Sequence, residues 1–256
     1  MVKLLILILN TVNFVGKINN MNLRKAVLII HGFAGGTYDE ESIANYLELK
    51  GFDVYSFTLP GHEKSFFNKV TKEDWINSVK EHLEMLIKNK YKNIYVIGHS
   101  MGGVLATYLA VNYKEVKKII LAAPAFKYLT FEEDNFNFIN ALKNSPQLFK
   151  DYEKDEIISR ILHFKTSVIK EFMQLVDESQ ELPSKIKCPV LIIHGDKDII
   201  VPLKSSKYIY HIIPVKNKHL MVLKDVNHDI FKSNKTNEVC IAVEKFLKFG
   251  IYNEKN

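Results

Sequence analysis

The 256-residue chain has few cysteines and lacks a long apolar run. Its two cysteines, Cys188 and Cys240, provide neither a disulfide framework nor the ligand spacing of a zinc site, so we expect buried free thiols. The apolar stretch at residues 4–9 is too short to span a bilayer and shorter than the apolar core of a secretory signal. No internal repeat, Walker sequence or dinucleotide-binding glycine pattern is present. We therefore expect no cofactor, no metal and no stable membrane insertion.

The composition indicates one large globular domain. Hydrophobic residues make up 47% and charged residues 25% of the chain, as is typical of soluble globular proteins. The formal charge of +6 comes from lysines scattered along the sequence. It allows weak attraction to acidic surfaces, but a nucleic-acid-binding surface would need clustered basic residues. We therefore expect no nucleic-acid partner.

The first 24 residues allow three interpretations. They could form an edge strand, a disordered extension, or a segment upstream of a start at Met21. No A-x-A-like cleavage site follows the short apolar run. A cytoplasmic location is therefore favoured over secretion.

From residue 25 onward, buried strands alternate with amphipathic helices, which predicts a mostly parallel central sheet with helices on both faces. The predicted strands cover residues 26–30, 52–57, 94–97, 117–123, 189–194 and 220–223, and the predicted core helices cover residues 38–50, 73–89, 104–112, 203–212 and 238–249.

The alternation stops between residues 125 and 187. This segment has no convincing buried strand but has aromatic residues and amphipathic helical stretches at 134–142, 155–164 and 166–179. We interpret residues 126–183 as a helical cap inserted into an α/β core formed by residues 25–125 and 184–256. Insertions of this kind commonly help to form substrate pockets.

Residues 94–103, Ile-Tyr-Val-Ile-Gly-His-Ser-Met-Gly-Gly, predict a strand, a sharp turn and a helix. Gly98 and Gly102 flank Ser100, and such a turn brings the two flanking positions too close together for side chains. The turn lets Ser100 adopt a strained conformation and leaves the Met101 N–H at the start of a helix, where it can face an oxyanion. This stretch resembles the nucleophile elbow of α/β hydrolases.

The resemblance to the α/β-hydrolase family covers residues 25–250, through H-G-F-x-G, G-H-S-M-G-G, G-D-K-D and a late N-H-D. A serine nucleophile needs a base and an orienting carboxylate, which occur in this fold in the chain order Ser, Asp, His. The resemblance implies that Ser100, Asp198 and His228 are these catalytic residues. It also implies that the Phe33 and Met101 N–H groups form the oxyanion hole, although the 31–36 loop could be a plain connection.

Two of these positions have rivals. Asp196 lies two residues before Asp198, and we expect it to close the turn through its own side chain. His219 competes with His228, but it begins a predicted strand, whereas the base should follow one. Residues 59–62 resemble the start of the family's L-P-G-H-G-x-S segment, although Glu63 replaces the second glycine.

The most similar subfamilies are bacterial carboxylesterases and monoacylglycerol lipases. They imply hydrolysis of short- to medium-chain acyl esters or monoacylglycerols through an acyl-enzyme, with a small-molecule ester as partner. Three alternatives stay open: a thioesterase, a carbon–carbon bond hydrolase with the same triad, and a ligand-binding receptor on a hydrolase scaffold. Rapid turnover of a p-nitrophenyl ester would separate an enzyme from a receptor.

Overall fold

The computed structural model describes residues 24–62, 70–126, 161 and 164–250. Six strands in these ranges form one sheet: β1 (Lys25–Ile30), β2 (Asp53–Ser56), β3 (Asn93–His99), β4 (Val116–Ala122), β5 (Val190–Gly195) and β6 (Lys218–Leu223). The helices in the same ranges are α1 (Glu41–Leu49), α2 (Lys72–Lys88), α3 (Met101–Asn112), α4 (Thr166–Glu178), α5 (Leu203–Ile212) and α6 (Thr236–Phe249).

The sheet is parallel throughout, with strand order β2-β1-β3-β4-β5-β6. The chain leaves β1 toward β2 on one side and returns to pair β3 on the other side of β1. In open α/β sheets, such a reversal opens a crevice at the carboxyl ends of the strands, where ligands usually bind. The loops after β1 and β3 therefore begin next to each other, with Ile30 paired to Gly98.

Two apolar layers cover the sheet. One face packs against α1 and α6, and the other packs against α2, α3, α4 and α5. Trp75, Val79, Leu83 and Leu86 lie on the buried face of α2. Helix α3 is buried on nearly all sides, because both the sheet and neighbouring helices contact it. This burial fixes the start of α3, which directly follows Ser100.

The structure confirms the predicted sheet class, and strand ends differ from the predicted ones by at most two residues. Two helix starts differ more. Helix α1 begins at Glu41 because a 3-10 turn, Thr37–Asp39, precedes it, held by a 3.1 Å bond from the Gly36 N–H to the Asp39 carboxylate. Helix α3 begins at Met101, directly after Ser100, so the glycines that follow belong to the helix.

Several sequence-based predictions fall outside the described residues. These concern residues 1–23, Glu63, and most of the proposed cap at 126–183, so the domain division stays a prediction. At the end of the cap segment, α4 confirms the predicted helix at 166–179 and packs its apolar face, including Phe172, onto the core. Within the described ranges, no helix is both long enough and apolar enough to cross a bilayer.

Candidate active site

Ser100 lies on a strained turn between β3 and α3. Its φ and ψ are 54° and −116°, a region that non-glycine residues rarely adopt. A Cβ on Gly98 would lie 2.1 Å from the carbonyl oxygen of Gly102, and a Cβ on Gly102 would lie 2.1 Å from that of Ile30. Only glycine fits at these two positions. As the first residue of α3, Met101 has no N–H acceptor within the helix.

The turn after β1 packs against Ser100. A Cβ on Gly32 would lie 3.0 Å from the Cβ of Ser100 and 3.7 Å from its Oγ. The His31 side chain braces this turn: Nδ1–H donates to the Gly32 carbonyl at 2.8 Å, and Nε2 accepts the Leu59 N–H at 2.9 Å. Burial lowers the pKa of His31 to about 3. His31 is therefore neutral, and its two hydrogen bonds stabilise the turn that places Phe33 beside Ser100.

Asp198 is a buried carboxylate in the loop after β5. Its Oδ1 accepts the N–H groups of Ile200 and Val201, each at 2.9 Å. Its Oδ2 lies 2.7 Å from His228 Nδ1 and 3.2 Å from His194 Nε2. Burial by itself raises the pKa of Asp198, but the two histidines and the Val201 N–H outweigh burial and hold it well below its usual range. Asp198 is therefore ionised at neutral pH.

His228 lies in the loop after β6, opposite Asp198. The ionised carboxylate can only accept, so the bond at 2.7 Å places a proton on His228 Nδ1 and leaves Nε2 without one in the neutral ring. Gly195 allows the two loops to meet, because a Cβ there would lie 2.2 Å from the carbonyl oxygen of Val226. His228 and Ser100 line the same pocket.

The two rival residues lie in other contacts. Asp196 is exposed, and its Oδ1 accepts the N–H of Asp225 at 2.7 Å. It therefore joins two loops, whereas the sequence predicts closure of its own turn. His219 lies within β6, with Nε2 at 3.0 Å from Asn217 Oδ1. Neither residue is among those that line the pocket around Ser100.

Sequence reasoning missed three buried residues of this site. His194, at the end of β5, bonds Ser206 Oγ at 2.6 Å through Nδ1 and the Val201 carbonyl at 2.8 Å through Nε2, while also contacting Asp198. Glu40 and His99 form a second buried pair behind His228. Polar residues at the carboxyl ends of apolar strands are a usable signal for His99 and His194, but the sequence gives none for Glu40.

The pocket beside Ser100 is largely apolar. The ring of Phe33 stacks on Phe172 of α4 with centroids 4.8 Å apart and planes within 5°, and it also contacts Phe164 at 4.7 Å. Such a wall suits an acyl chain better than a charged group. The lining residues are Gly32, Phe33, Gly35, Asp39, His99, Ser100, Ile161, Phe172, Ile200 and His228.

Comparisons with known proteins agree with this architecture. Residues 25–149 match a family model described as alpha/beta hydrolase fold, and residues 133–235 match one described as serine aminopeptidase, S33. A carboxylesterase of Bacillus subtilis (strain 168) is 24% identical over 229 residues, covering 88% of this chain and 92% of the relative. A thermostable monoacylglycerol lipase of Bacillus sp. (strain H-257) is 27% identical over 214 residues, covering 79% of this chain and 82% of the relative.

Among solved structures, a monoacylglycerol lipase of Paleococcus ferrophilus superposes with a TM-score of 0.67 at 22% identity. The match covers 88% of this chain and 95% of that one. This likeness shows that the two chains share a fold.

Proposed function

The chain belongs to the α/β hydrolase family and is an ester hydrolase of the carboxylesterase and lipase type, and we propose that Ser100, His228 and Asp198 carry out its reaction. The observation that carries the proposal is the Asp198–His228 hydrogen bond at 2.7 Å beside the strained Ser100. A serine hydroxyl needs such a base, and the base needs such a carboxylate.

In the proposed first step, His228 Nε2 takes the proton of Ser100 Oγ as that oxygen attacks the ester carbonyl carbon. Asp198 stabilises the imidazolium that forms. The N–H groups of Phe33 and Met101 bind the oxyanion, and loss of one such donor typically slows a reaction by about a hundred- to thousandfold. His228 then protonates the leaving alcohol, and an acyl-enzyme remains on Ser100.

In the second step, His228 takes a proton from water, and the resulting hydroxide attacks the acyl-enzyme. The tetrahedral intermediate collapses, Ser100 recovers its proton from His228, and the carboxylic acid leaves. Every proton moves through one imidazole. This requires His228 to be neutral before each attack, and the fixed proton on Nδ1 keeps Nε2 available.

We propose short- to medium-chain acyl esters, including monoacylglycerols, as substrates. The apolar pocket formed by Phe33, Phe172 and Ile161 supports an acyl chain of moderate length. The names of the two Bacillus relatives, a carboxylesterase and a monoacylglycerol lipase, support carboxylic esters and monoacylglycerols as substrates. We further propose that the protein is cytoplasmic, as the sequence predicts. We also propose that residues 126–183 form a cap, and α4 is one of the described parts of that segment.

The first test uses p-nitrophenyl butyrate with variants of the proposed triad and matched controls. Ser100→Ala, His228→Gln and Asp198→Asn should each lower kcat by roughly ten-thousandfold, because each removes a member of one proton relay. The controls are His219→Gln and Asp196→Asn, which change the rival residues and should keep kcat within about twofold. Circular dichroism checks that each variant folds.

Turnover measurements also test the nucleophile and two of the alternative functions. If Ser100→Ala turns over at the wild-type rate, the proposed nucleophile is wrong. A single slow release of product from the wild type favours a receptor, and a much higher kcat/KM on an acyl thioester than on the matching ester favours a thioesterase.

The second test varies the acyl chain. We expect kcat/KM to rise from the acetyl to the octanoyl ester, since each buried methylene contributes about 0.8 kcal/mol. Phe172→Ala should reduce this gain, because it removes one wall of the pocket. Phe249→Ala is the matched control, since that residue is 71% exposed at the end of α6. Equal chain-length profiles for wild type and Phe172→Ala would contradict the assignment of the acyl site.

A further inference from the structure

A buried carboxyl–imidazole pair lies directly behind the proposed base. Glu40 precedes α1 and is 1% exposed, and His99 ends β3 next to Ser100 and is 5% exposed. Glu40 Oε1 lies 2.9 Å from His99 Nδ1. The other ring nitrogen, His99 Nε2, lies 3.0 Å from the backbone carbonyl oxygen of His228. The three residues form a chain of hydrogen bonds that ends on the backbone of His228.

The acceptors fix where the protons are. A carbonyl oxygen can only accept, so His99 Nε2 must carry a proton. His99 Nδ1 then either accepts a hydrogen bond from the O–H of neutral Glu40 or, in an imidazolium, donates a hydrogen bond to the Glu40 carboxylate. Both arrangements place one shared proton between Glu40 and His99. Without that proton, two lone pairs would face each other at 2.9 Å.

The surroundings of Glu40 favour the neutral arrangement. Glu40 Oε2 is buried and has no hydrogen-bond partner among the described residues, and a buried charge without partners is costly. Burial raises the pKa of Glu40. Burial disfavours the charged form of His99, but the hydrogen bond and charge of Glu40 outweigh burial, so the pKa of His99 is raised as well. Because both pKa values are raised, the pair retains its shared proton to a higher pH than an isolated glutamic acid or histidine would.

Other charged groups also face the pair. Asp39, from the turn before α1, bonds Lys232 Nζ at 2.6 Å, so their charges largely offset each other. Asp229 follows His228, and burial raises the pKa of its carboxyl group. The His228 ring centroid lies 4.9 Å from that of His99. An imidazolium formed on His228 during the reaction would repel a second imidazolium on His99, which favours the arrangement in which His99 and Glu40 are both uncharged.

We propose that Glu40 and His99 are positioning residues for the hydrolysis proposed above: their shared proton keeps His99 Nε2–H on the carbonyl of His228 and so fixes the backbone of the base. Removal of the shared proton would let His99 donate from Nδ1 to the Glu40 carboxylate instead. Nε2 would then present a lone pair to the His228 carbonyl, and the hydrogen bond would be replaced by repulsion. Activity should therefore decline at alkaline pH, when the pair loses its proton.

Three variants test this. Glu40→Gln replaces the acid by an amide that donates to His99 Nδ1 and cannot lose the proton at alkaline pH. Glu40→Leu keeps the approximate volume without any donor, and His99→Phe removes the bond to the His228 carbonyl. We measure kcat and KM for p-nitrophenyl butyrate from neutral to alkaline pH, with the rate of Ser100→Ala subtracted as background.

The proposal expects Glu40→Gln to keep the neutral-pH kcat within about threefold and to lack the alkaline decline of the wild type. Glu40→Leu and His99→Phe should lower kcat by roughly tenfold or more, with KM changed less than about twofold, because misplacement of the base affects the reaction more than binding. The proposal is overturned if Glu40→Gln loses as much activity as Glu40→Leu, or if Glu40→Leu and His99→Phe both match the wild type.

A measurement without turnover separates this proposal from the proposed function. In protein with ¹⁵N-labelled histidine, NMR should show the His99 proton on Nε2 in the wild type and in Glu40→Gln. An Nδ1–H tautomer in neutral His99 overturns the proposal even when the enzyme is active. If Ser100→Ala leaves turnover unchanged, the proposed function fails while the NMR result still decides the pair. If Glu40→Leu does not fold, persistence of the alkaline decline in Glu40→Gln overturns the proposal.

Discussion

At the scale of single residues, four buried histidines near Ser100 differ because their partners differ. His31 contacts a backbone carbonyl and a backbone N–H, and His194 contacts a hydroxyl, a carbonyl and Asp198. His99 faces a carboxyl group, whereas His228 is the one that bonds Asp198 and lines the pocket with its ring opposite His99. Partner chemistry, more than position in the sequence, decides which imidazole can act as a base.

His31 should make the protein less stable in mild acid. Its pKa is about 3 when folded against an ordinary 6.5, so below pH 6.5 the unfolded chain binds a proton that the folded chain does not. The free energy of unfolding should therefore fall as the pH drops from about 6.5 toward 3, by about 2 kcal/mol at pH 5. In His31→Gln the glutamine side chain cannot titrate, so the free energy of unfolding should fall less over the same pH range.

Urea unfolding at pH 7 and pH 5, followed by the fluorescence of Trp75, measures this difference. Trp75 is the sole tryptophan in the sequence and is fully buried. If the free energy of unfolding falls equally in the wild type and in His31→Gln between pH 7 and pH 5, groups other than His31 cause the acid sensitivity.

At the scale of elements, the site is assembled where strand ends and loops touch backbone to backbone. Gly195 ends β5, and a Cβ there would overlap the Val226 carbonyl at 2.2 Å and lie 2.6 Å from that of Asn227. Neither backbone group can rotate away as a side chain could. Gly195→Ala should therefore push the loop of His228 from that of Asp198 and lower kcat at least about tenfold, with a smaller change in KM.

Gly51→Ala is the control for this prediction. Gly51 has a φ of +83° but nothing within 4 Å of its missing Cβ. Alanine there should cost about 1 kcal/mol of stability through backbone strain and leave kcat unchanged. If Gly195→Ala has the wild-type kcat, the loops of Asp198 and His228 can move apart without any loss of activity, and the prediction is wrong.

At the scale of the whole molecule, the pocket joins the sheet to the helices above it. Phe33 follows β1, and Phe172 belongs to α4, which comes much later in the chain. A chain bound between them should tie α4 to the core. We therefore expect an octyl phosphonate ester on Ser100 to raise Tm more than a methyl one does. A difference of at least about 4 °C is expected, because buried methylenes add stability only in the folded state.

Differential scanning calorimetry of the two phosphonylated proteins measures this shift. Ser100→Ala treated with the same reagents is the control, and its Tm should not change. Equal Tm values for the methyl and octyl adducts would mean that the alkyl chain stays outside the apolar pocket.

The sheet class, the strained turn at Ser100 and the glycine-rich turn after β1 could all be predicted from the amino-acid sequence. These features depend on local patterns: apolar runs, glycine spacing, and short motifs whose backbone geometry follows from nearby residues. The order of Ser100, Asp198 and His228 along the chain could be read in the same way, because each follows a predicted strand. The choice of Asp198 over Asp196 relied on resemblance to a family.

Contacts between residues that are distant in the sequence could not be predicted and are known from the fold. The contacts of His194 with Asp198, of Glu40 with His99, and of His99 with the His228 carbonyl join residues from separate elements. No local pattern encodes them, because hydrogen bonding at this range depends on how the loops fold over the ends of the strands. The proton that we place between Glu40 and His99 can be inferred only once the burial and the hydrogen-bond partners of both side chains are known, since these determine the free energy of protonation.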